Sequence, residues 1–259
     1  MDGRLAGRVA IVTGTSRGIG RAIARTFVRE GAAVVGVDVL EEQGRAVCAQ
    51  VVAEGGAMRF MRGDVADESD VRAVVEGVLA EHGRVDVLVN NAAVQKEARL
   101  VDVTVADFHR VVDVNLLGCL LFCRAVLPAM VERRSGVIVN MSSLNALVAD
   151  PLLPVYGATK AGIIALTQNI AITYGPDGIR ANAICPGDVD TELNQAFFRA
   201  HPDPAEFRRR VEREYPLRRI ASPDEIARVA LFLASDDASF VSGSQVVVDG
   251  ALMARIYEL

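Results

Sequence analysis

Between residues 9 and 248 the chain repeats one pattern: a short aliphatic run, a connection, then a longer stretch with helical spacing. The short runs are Val9–Val12, Ala33–Val37, Met58–Met61, Val85–Val89, Gly136–Asn140, Arg180–Ile184 and Gln245–Val248. They read as near-continuous apolar segments, the signature of strands buried on both faces of a parallel sheet. The helical stretches lie near 19–30, 41–54, 68–82, 105–132, 155–174 and 223–234. Strand–helix alternation predicts a doubly wound α/β sheet. No linker, repeat or second composition regime interrupts it, so residues 1–259 are expected to form a single domain. One connection breaks the rhythm, from about Pro186 to Pro216, with a charged helical piece at Ala205–Glu214. A connection of that length (about 186–216) is either a lid or binding segment, or a packed surface insertion.

Composition removes several classes of function. With 28 basic and 33 acidic residues the net charge is −5, which offers no basic footprint for nucleic acid. An apolar content of 51% argues against disorder. The cysteines (Cys48, Cys119, Cys123, Cys185) form no C-x-x-C pair, and His82, His109 and His201 are scattered, so no metal is assigned. Cys119 and Cys123 stand four apart on one face of an apolar helix. The N-terminus lacks the apolar core of a signal peptide, and no uncharged apolar run reaches membrane-spanning length. The expected location is the cytoplasm.

Two constellations carry chemistry. After the first strand comes Thr13-Gly14-Thr15-Ser16-Arg17-Gly18-Ile19-Gly20, and a helix follows. Glycines there permit a tight turn and bring backbone N–H groups close to a ligand, while the helix N-terminus favours a pyrophosphate. The second strand ends in Asp38, 18 residues beyond Gly20. A carboxylate there accepts hydrogen bonds from an adenosine ribose and repels a 2′-phosphate, which favours NAD over NADP. Arg17 is the contrary sign, since a basic residue in the turn could contact a phosphate.

The second constellation is Tyr156-Gly157-Ala158-Thr159-Lys160, at the start of a helix. Residues i and i+4 share a face, so phenol and ammonium can enter one site. Lys160 is one of only two lysines in the chain. Its charge is expected to lower the tyrosine pKa toward working pH, making Tyr156 a general acid or base. Upstream, the strand Val137–Met141 runs into Ser142 and Ser143, at the strand end where open α/β sheets place ligands.

These residues together resemble the short-chain dehydrogenase/reductase family, and the resemblance covers essentially the whole chain. The T-G-x-x-x-G-x-G motif is Thr13 to Gly20, and Y-x-x-x-K is Tyr156 and Lys160. The N-S-Y-K tetrad is Asn115, Ser143, Tyr156 and Lys160, and N-N-A-G appears as Asn90-Asn91-Ala92-Ala93. The resemblance implies a single-domain doubly wound Rossmann fold with a seven-stranded parallel sheet. It also implies roles: Tyr156 as acid/base, Ser143 on the substrate oxygen, Lys160 on the nicotinamide ribose, and Asn115 anchoring a water in the proton path. Implied cofactor contacts are Gly14, Ser16, Arg17, Gly18, Ile19, Gly20, Asp38, Asp64, Val65, Asn91, Ala92, Tyr156, Lys160, Pro186, Gly187, Val189 and Thr191. Ser142 is expected to turn away from the reacting oxygen. Two departures stand out: Ala93 replaces a glycine and should be tolerated, and Asp188 follows Pro186-Gly187, where it is expected to be an exposed turn carboxylate.

The expected function is NAD-dependent hydride transfer between nicotinamide and a secondary alcohol, ketone or sugar hemiacetal. Competing readings are an NADPH-dependent 3-oxoacyl or carbonyl reductase and a non-catalytic NAD-sensing protein. The candidate substrate residues (Gln95, Asn145, Leu147, Asp150, Leu152, Leu153, Asp188) mix polar and apolar types. Arg199, His201, Arg208, Arg209, Arg210 and Arg213 either bind an anionic substrate group or coat a helix whose Phe207 and Val211 pack inward. The family implies a homotetramer, built through the helices near 105–132 and 155–174 and through the closing strand with its tail, Ala251–Leu259.

Overall fold

The computed structural model describes residues 3–254. Seven strands form one parallel sheet: β1 (Val9–Thr13), β2 (Ala33–Asp38), β3 (Met58–Arg62), β4 (Val87–Asn90), β5 (Gly136–Met141), β6 (Ile179–Pro186) and β7 (Gln245–Val248). Their order is β3-β2-β1-β4-β5-β6-β7, so the winding reverses beside β1 and leaves a crevice at the strand C-termini. The five inner strands are buried almost throughout, whereas the edge strands are not: Arg59 and Arg62 on β3 are exposed, and β7 alternates, with Gln245 and Val247 exposed. An edge strand has only one neighbour to cover it, which is why these two depart from the continuous pattern.

Successive side chains of β1 feed opposite layers. Ala10 and Val12 pack with Ile23 and Phe27 of α1 (Gly18–Arg29), Val47 of α2 (Glu41–Ala53) and Ile226 and Leu231 of α9 (Pro223–Ala234). Val9 and Ile11 face the other layer, formed by α3 (Glu68–His82), α5 (Gly118–Glu132) and α6 (Pro154–Tyr174), with Phe122, Met130 and Ile170. Local chemistry sets the helix ends. Asp67 caps α3 by accepting from the Ser69 and Asp70 N–H groups, and Gly83 ends it at φ +67°.

The stretch expected as one helix over 105–132 is continuous but not uniform. α4 (Val105–Val112) passes through a π-helical turn, Asp113–Leu117, before α5. Such turns accommodate one extra residue and often mark functional sites. Here the turn presents Asn115. By length and composition the span Val105–Glu132 could cross a membrane, but half of its apolar window is buried and Arg124 interrupts it. Cys119 and Cys123 share its buried face.

The long connection after β6 holds two helices rather than one: α7 (Glu192–Arg199) and α8 (Pro204–Glu214). α7 went unread because its amphipathic stretch is only eight residues long. Phe197, Phe207 and Val211 pack around buried Phe198, Tyr215 and Ile220, a small core separate from the two main layers. The inward packing of Phe207 and Val211 is the coated-helix arrangement.

Candidate active site

A cleft of about 670 Å³ opens at the C-terminal end of the sheet, under the β6–α7 connection. The glycine turn forms its floor at one end. Gly14 sits at φ +73°, and a Cβ there would lie 2.8 Å from Asn91 Nδ2. Asn91 holds the turn by donating to the Thr13 carbonyl at 2.9 Å, while Thr13 Oγ1 accepts from the Asn91 and Ala92 N–H groups. Gly20 serves packing: its Cβ would fall 2.1 Å from the Gly14 carbonyl oxygen. Helix α1 starts with no side-chain cap at Arg17 and no acidic residue in its first turn. Instead Glu192, from the start of α7, accepts from the Gly18 N–H at 3.0 Å and from Arg21 at 3.0 Å. Nothing in the sequence around Glu192 pointed to that contact.

Asp38 reaches the cleft from the end of β2. Its two oxygens accept from the Ser16 N–H and the Leu40 N–H, each at 3.0 Å. Backbone donors thereby fix the carboxylate without neutralising it with a cation. Gly14, Arg17, Gly18, Ile19, Asp38, Asp64, Val65, Asn91, Ala92, Pro186, Gly187, Val189 and Thr191 all line the cleft. Ser16 and Gly20 do not; Ser16 is buried, its hydroxyl donating to the Leu40 carbonyl at 3.2 Å. Ala93 lies on the cleft wall and is accommodated there.

At the centre, α6 brings Tyr156 and Lys160 to the lining together with Ser143. Pro154 opens the helix at a position where its missing N–H costs nothing. Ser143 lies beside the Tyr156 phenol and favours its ionised form. Lys160 Nζ lies 5.4 Å from the Tyr156 ring centroid and donates to the Met141 carbonyl at 2.7 Å. Ser142 turns away, donating to the Lys160 carbonyl at 2.8 Å. Asn115 stands behind the wall: its carboxamide accepts from the Val94 N–H at 2.8 Å and donates to the Val94 carbonyl at 2.9 Å.

The expected depression of the tyrosine is corrected here. Burial pushes Tyr156 up to about 12, against which Ser143 pulls only partly. Burial also drives Lys160 down to about 8. Loss of hydration, rather than the ammonium's charge, dominates both groups.

At the substrate end, Gln95, Asn145, Asp150, Leu152, Leu153 and Asp188 line the cleft and Leu147 does not. Asp188 is not an exposed turn carboxylate. It is mostly enclosed and accepts from the Tyr215 hydroxyl at 2.8 Å, and burial raises its pKa. Tyr215, Leu193, Asn194, Phe197 and Leu252 also line the cleft and were not foreseen. None of Arg199, His201, Arg208, Arg209, Arg210 and Arg213 does. Arg208 pairs with Asp190 and Glu212, Arg209 and Arg213 pair with Glu206, and Arg210 and His201 lie against the Phe207 ring.

Comparison with known proteins agrees with this geometry. Residues 14–252 match the family model described as enoyl-(acyl carrier protein) reductase. The chain is 40% identical over 254 residues to the 2-(R)-hydroxypropyl-CoM dehydrogenase of Xanthobacter autotrophicus, covering 95% of this chain and 99% of that one. It is 39% identical over 249 residues to the D-threitol dehydrogenase of Mycolicibacterium smegmatis, covering 96% and 94%. A crystal structure of a gluconate 5-dehydrogenase from Burkholderia cenocepacia, in complex with NADP and tartrate, superposes with a TM-score of 0.91 at 37% identity, covering 98% of each chain. The chain belongs to the short-chain dehydrogenase/reductase family. It is an oxidoreductase that moves a hydride between a nicotinamide cofactor and a secondary alcohol or ketone.

The cleft suits a dinucleotide. Side chains at Gly14 or Gly20 would collide with the turn's own supports, and α1 starts with no local side-chain cap; a pyrophosphate there would take over the Gly18 N–H that Glu192 holds from α7.

Proposed function

We propose that the protein is an NAD-preferring dehydrogenase of secondary alcohols in which Tyr156 is the general acid/base. The observation that carries the cofactor preference is the Asp38 carboxylate, fixed by two backbone donors on the cleft wall where an adenosine ribose would lie. Gly14, Gly18, Ile19, Asp64, Val65, Asn91, Ala92, Val189 and Thr191 would hold the rest of the dinucleotide. When bound, the nicotinamide ring supplies or accepts the hydride.

The chain's residues handle the proton. In oxidation the phenolate form of Tyr156 takes the hydroxyl proton, and Ser143 donates to the developing carbonyl oxygen. With its pKa raised to about 12, Tyr156 holds its proton at neutral pH and is poised as the acid of the reverse step. Ser143, beside the phenol, and Lys160, whose Nζ lies 5.4 Å from the ring centroid, would stabilise its phenolate. Asn115 keeps the π-helical turn and the strand β4 exit in register through its paired bonds to Val94.

Arg17 on the cleft lining supports the rival reading, in which an NADP 2′-phosphate is accommodated. Steady-state kinetics with both cofactors separates them. NAD should give the higher kcat/KM, and Asp38→Ala should shift the NAD/NADP ratio toward NADP by about tenfold or more, the loss of a charge-assisted pair and a repulsion. A wild-type preference for NADP would overturn the assignment.

We also place the enzyme in the cytoplasm as a homotetramer. Four free cysteines support the first, and exposed Leu117 at the end of the π-helical turn, Leu120 on α5 and Ile172 on α6 support the second.

A further inference from the structure

We infer that Asp188, oriented by Tyr215, selects neutral polyhydroxylated alcohols and rejects substrates carrying an anionic group. The inference rests on the dehydrogenase reading above and adds the substrate class.

Asp188 is clamped from both sides of its backbone. Its N–H donates to the Tyr215 hydroxyl at 2.7 Å, and its carbonyl accepts from the Ala221 N–H at 3.0 Å. The flanking Val189 forms a parallel bridge with Ala221. The side chain is fixed as well: Oδ2 accepts from the Tyr215 hydroxyl at 2.8 Å and Oδ1 from Asn194 Nδ2 at 3.3 Å. Tyr215 is itself anchored in the small core with Phe198 and Ile220, and only a glycine at 187 leaves room for its hydroxyl, since a Cβ there would come within 2.9 Å of it. The result is a pre-oriented carboxylate on the wall of the cleft that holds Tyr156.

A carboxylate offers about four lone-pair directions, and the two side-chain donors here occupy half of them. Among the described residues no Lys or Arg is paired with Asp188; the charged neighbour it feels is Asp150, another acid on the same lining. A mostly enclosed, uncompensated carboxylate is costly unless donors arrive. Hydroxyl groups adjacent to the reacting carbinol would be such donors, forming charge-assisted hydrogen bonds. A carboxylate, sulfonate or phosphate would instead face Asp188, Asp150 and Glu97 on the same lining. Arg199, Arg208, Arg209, Arg210 and Arg213, the arginines of this connection, lie off the cleft, and Arg208 and Arg213 are held in ion pairs.

The test uses the full-length enzyme with NAD and three secondary alcohols: a four-carbon polyol, an aldonate of similar size, and cyclohexanol. Wild type should favour the polyol over the aldonate. Asp188→Asn, of the same shape, should lower kcat/KM for the polyol at least tenfold more than for cyclohexanol and narrow the polyol/aldonate ratio at least tenfold. Tyr215 is a positioning residue, so Tyr215→Phe should raise KM for the polyol and leave its kcat less changed. Calorimetric titration of polyol into the NADH-loaded protein reads the same selectivity without turnover, and thermal unfolding confirms that each variant is folded. Turnover of secondary alcohols with ratios unmoved by Asp188→Asn overturns this inference alone. Absence of turnover on every alcohol, with either cofactor, overturns the dehydrogenase reading, and absence of polyol binding in calorimetry then overturns the selectivity as well.

Discussion

The two ends of the cleft are built by different means. At the cofactor end the recognition elements are backbone or are held by backbone: the turn from Thr13 to Gly20, the start of α1, and the Asp38 carboxylate fixed by two peptide N–H groups. These parts hang on strands buried on both faces, so their positions are dictated by the sheet. At the substrate end the elements are side chains on a connection between β6 and α9, anchored by a small aromatic core and by ion pairs such as Arg208–Asp190. The first end leaves no room for a Cβ at Gly14 or Gly20, while the second stands on a core separate from the two main layers. One fold can thereby keep its cofactor and change its substrate.

If that division holds, substitutions at the junction, where Tyr156 and Lys160 stand, should have the largest consequences for activity. Tyr156→Phe removes the proton acceptor and leaves the ring packed. It should lower kcat about a thousandfold, the middle of the range for a positioned acid/base, with dinucleotide affinity little changed in a calorimetric titration. Retained turnover would remove Tyr156 from the mechanism.

Lys160→Met should split activity from stability. Folding lowers the Lys160 pKa from 10.5 to about 8, so the neutral form is the one the fold favours. The associated stability is complete above about pH 10.5 and is lost as pH falls through about 8. At pH 7 the buried ammonium costs on the order of 3 kcal/mol, offset in part by its bond to the Met141 carbonyl. Urea unfolding at pH 7 should show Lys160→Met more stable than wild type by about 1–3 kcal/mol, with the gap narrowing by pH 10 and dehydrogenase activity lost. A less stable variant at pH 7 would show that the carbonyl bond outweighs the desolvation.

At the cofactor end, Gly20→Ala tests whether the turn is as unforgiving as its geometry. The new Cβ would meet the Gly14 carbonyl oxygen at 2.1 Å and Asn91 Nδ2 at 2.5 Å. Both neighbours are held by the sheet, so relief must come from the backbone. Overpacking of this kind costs about 1–3 kcal/mol, lowering Tm by several degrees in a chain of this size and weakening dinucleotide binding with it. An unchanged Tm would mean that the turn is softer than the strands carrying it.

The same contrast governs what could be read before the structure. Buried parallel strands leave continuous apolar runs, glycine turns leave a spacing, and an i, i+4 pair leaves Tyr156 and Lys160; each is local, so each was legible. Strand limits were off by only one or two residues where β6 runs on to Pro186. The Tyr215–Asp188 pair joins residues 27 positions apart, and the Glu192–Gly18 contact spans 174. Neither has a periodic signature. The pKa of Tyr156 failed for a related reason: proximity of Lys160 was visible, whereas burial is a property of the packed layers. The π-helical turn was hidden because Asp113–Leu117 continues the apolar helical spacing on either side.

The smallest effect expected is at the surface of the substrate end, and it bears on the arginine-rich helix. Arg208 pairs with Asp190 at 2.9 Å and Glu212 at 2.8 Å, and its guanidinium lies 5.9 Å from the Phe198 ring. Half-exposed ion pairs contribute roughly 0–1 kcal/mol because solvent screens the charges and the side chains lose rotamer freedom. Arg208→Ala should therefore lower Tm by about 2 °C at most, less at high salt. Since Arg208 is off the cleft lining, kcat/KM should change by a common factor, under about threefold, for neutral and anionic alcohols alike. A loss confined to anionic substrates would mean that the helix turns its charge toward the cleft during catalysis. In that case the substrate end would be a recognition surface in its own right, rather than a frame that holds Tyr215 against Asp188.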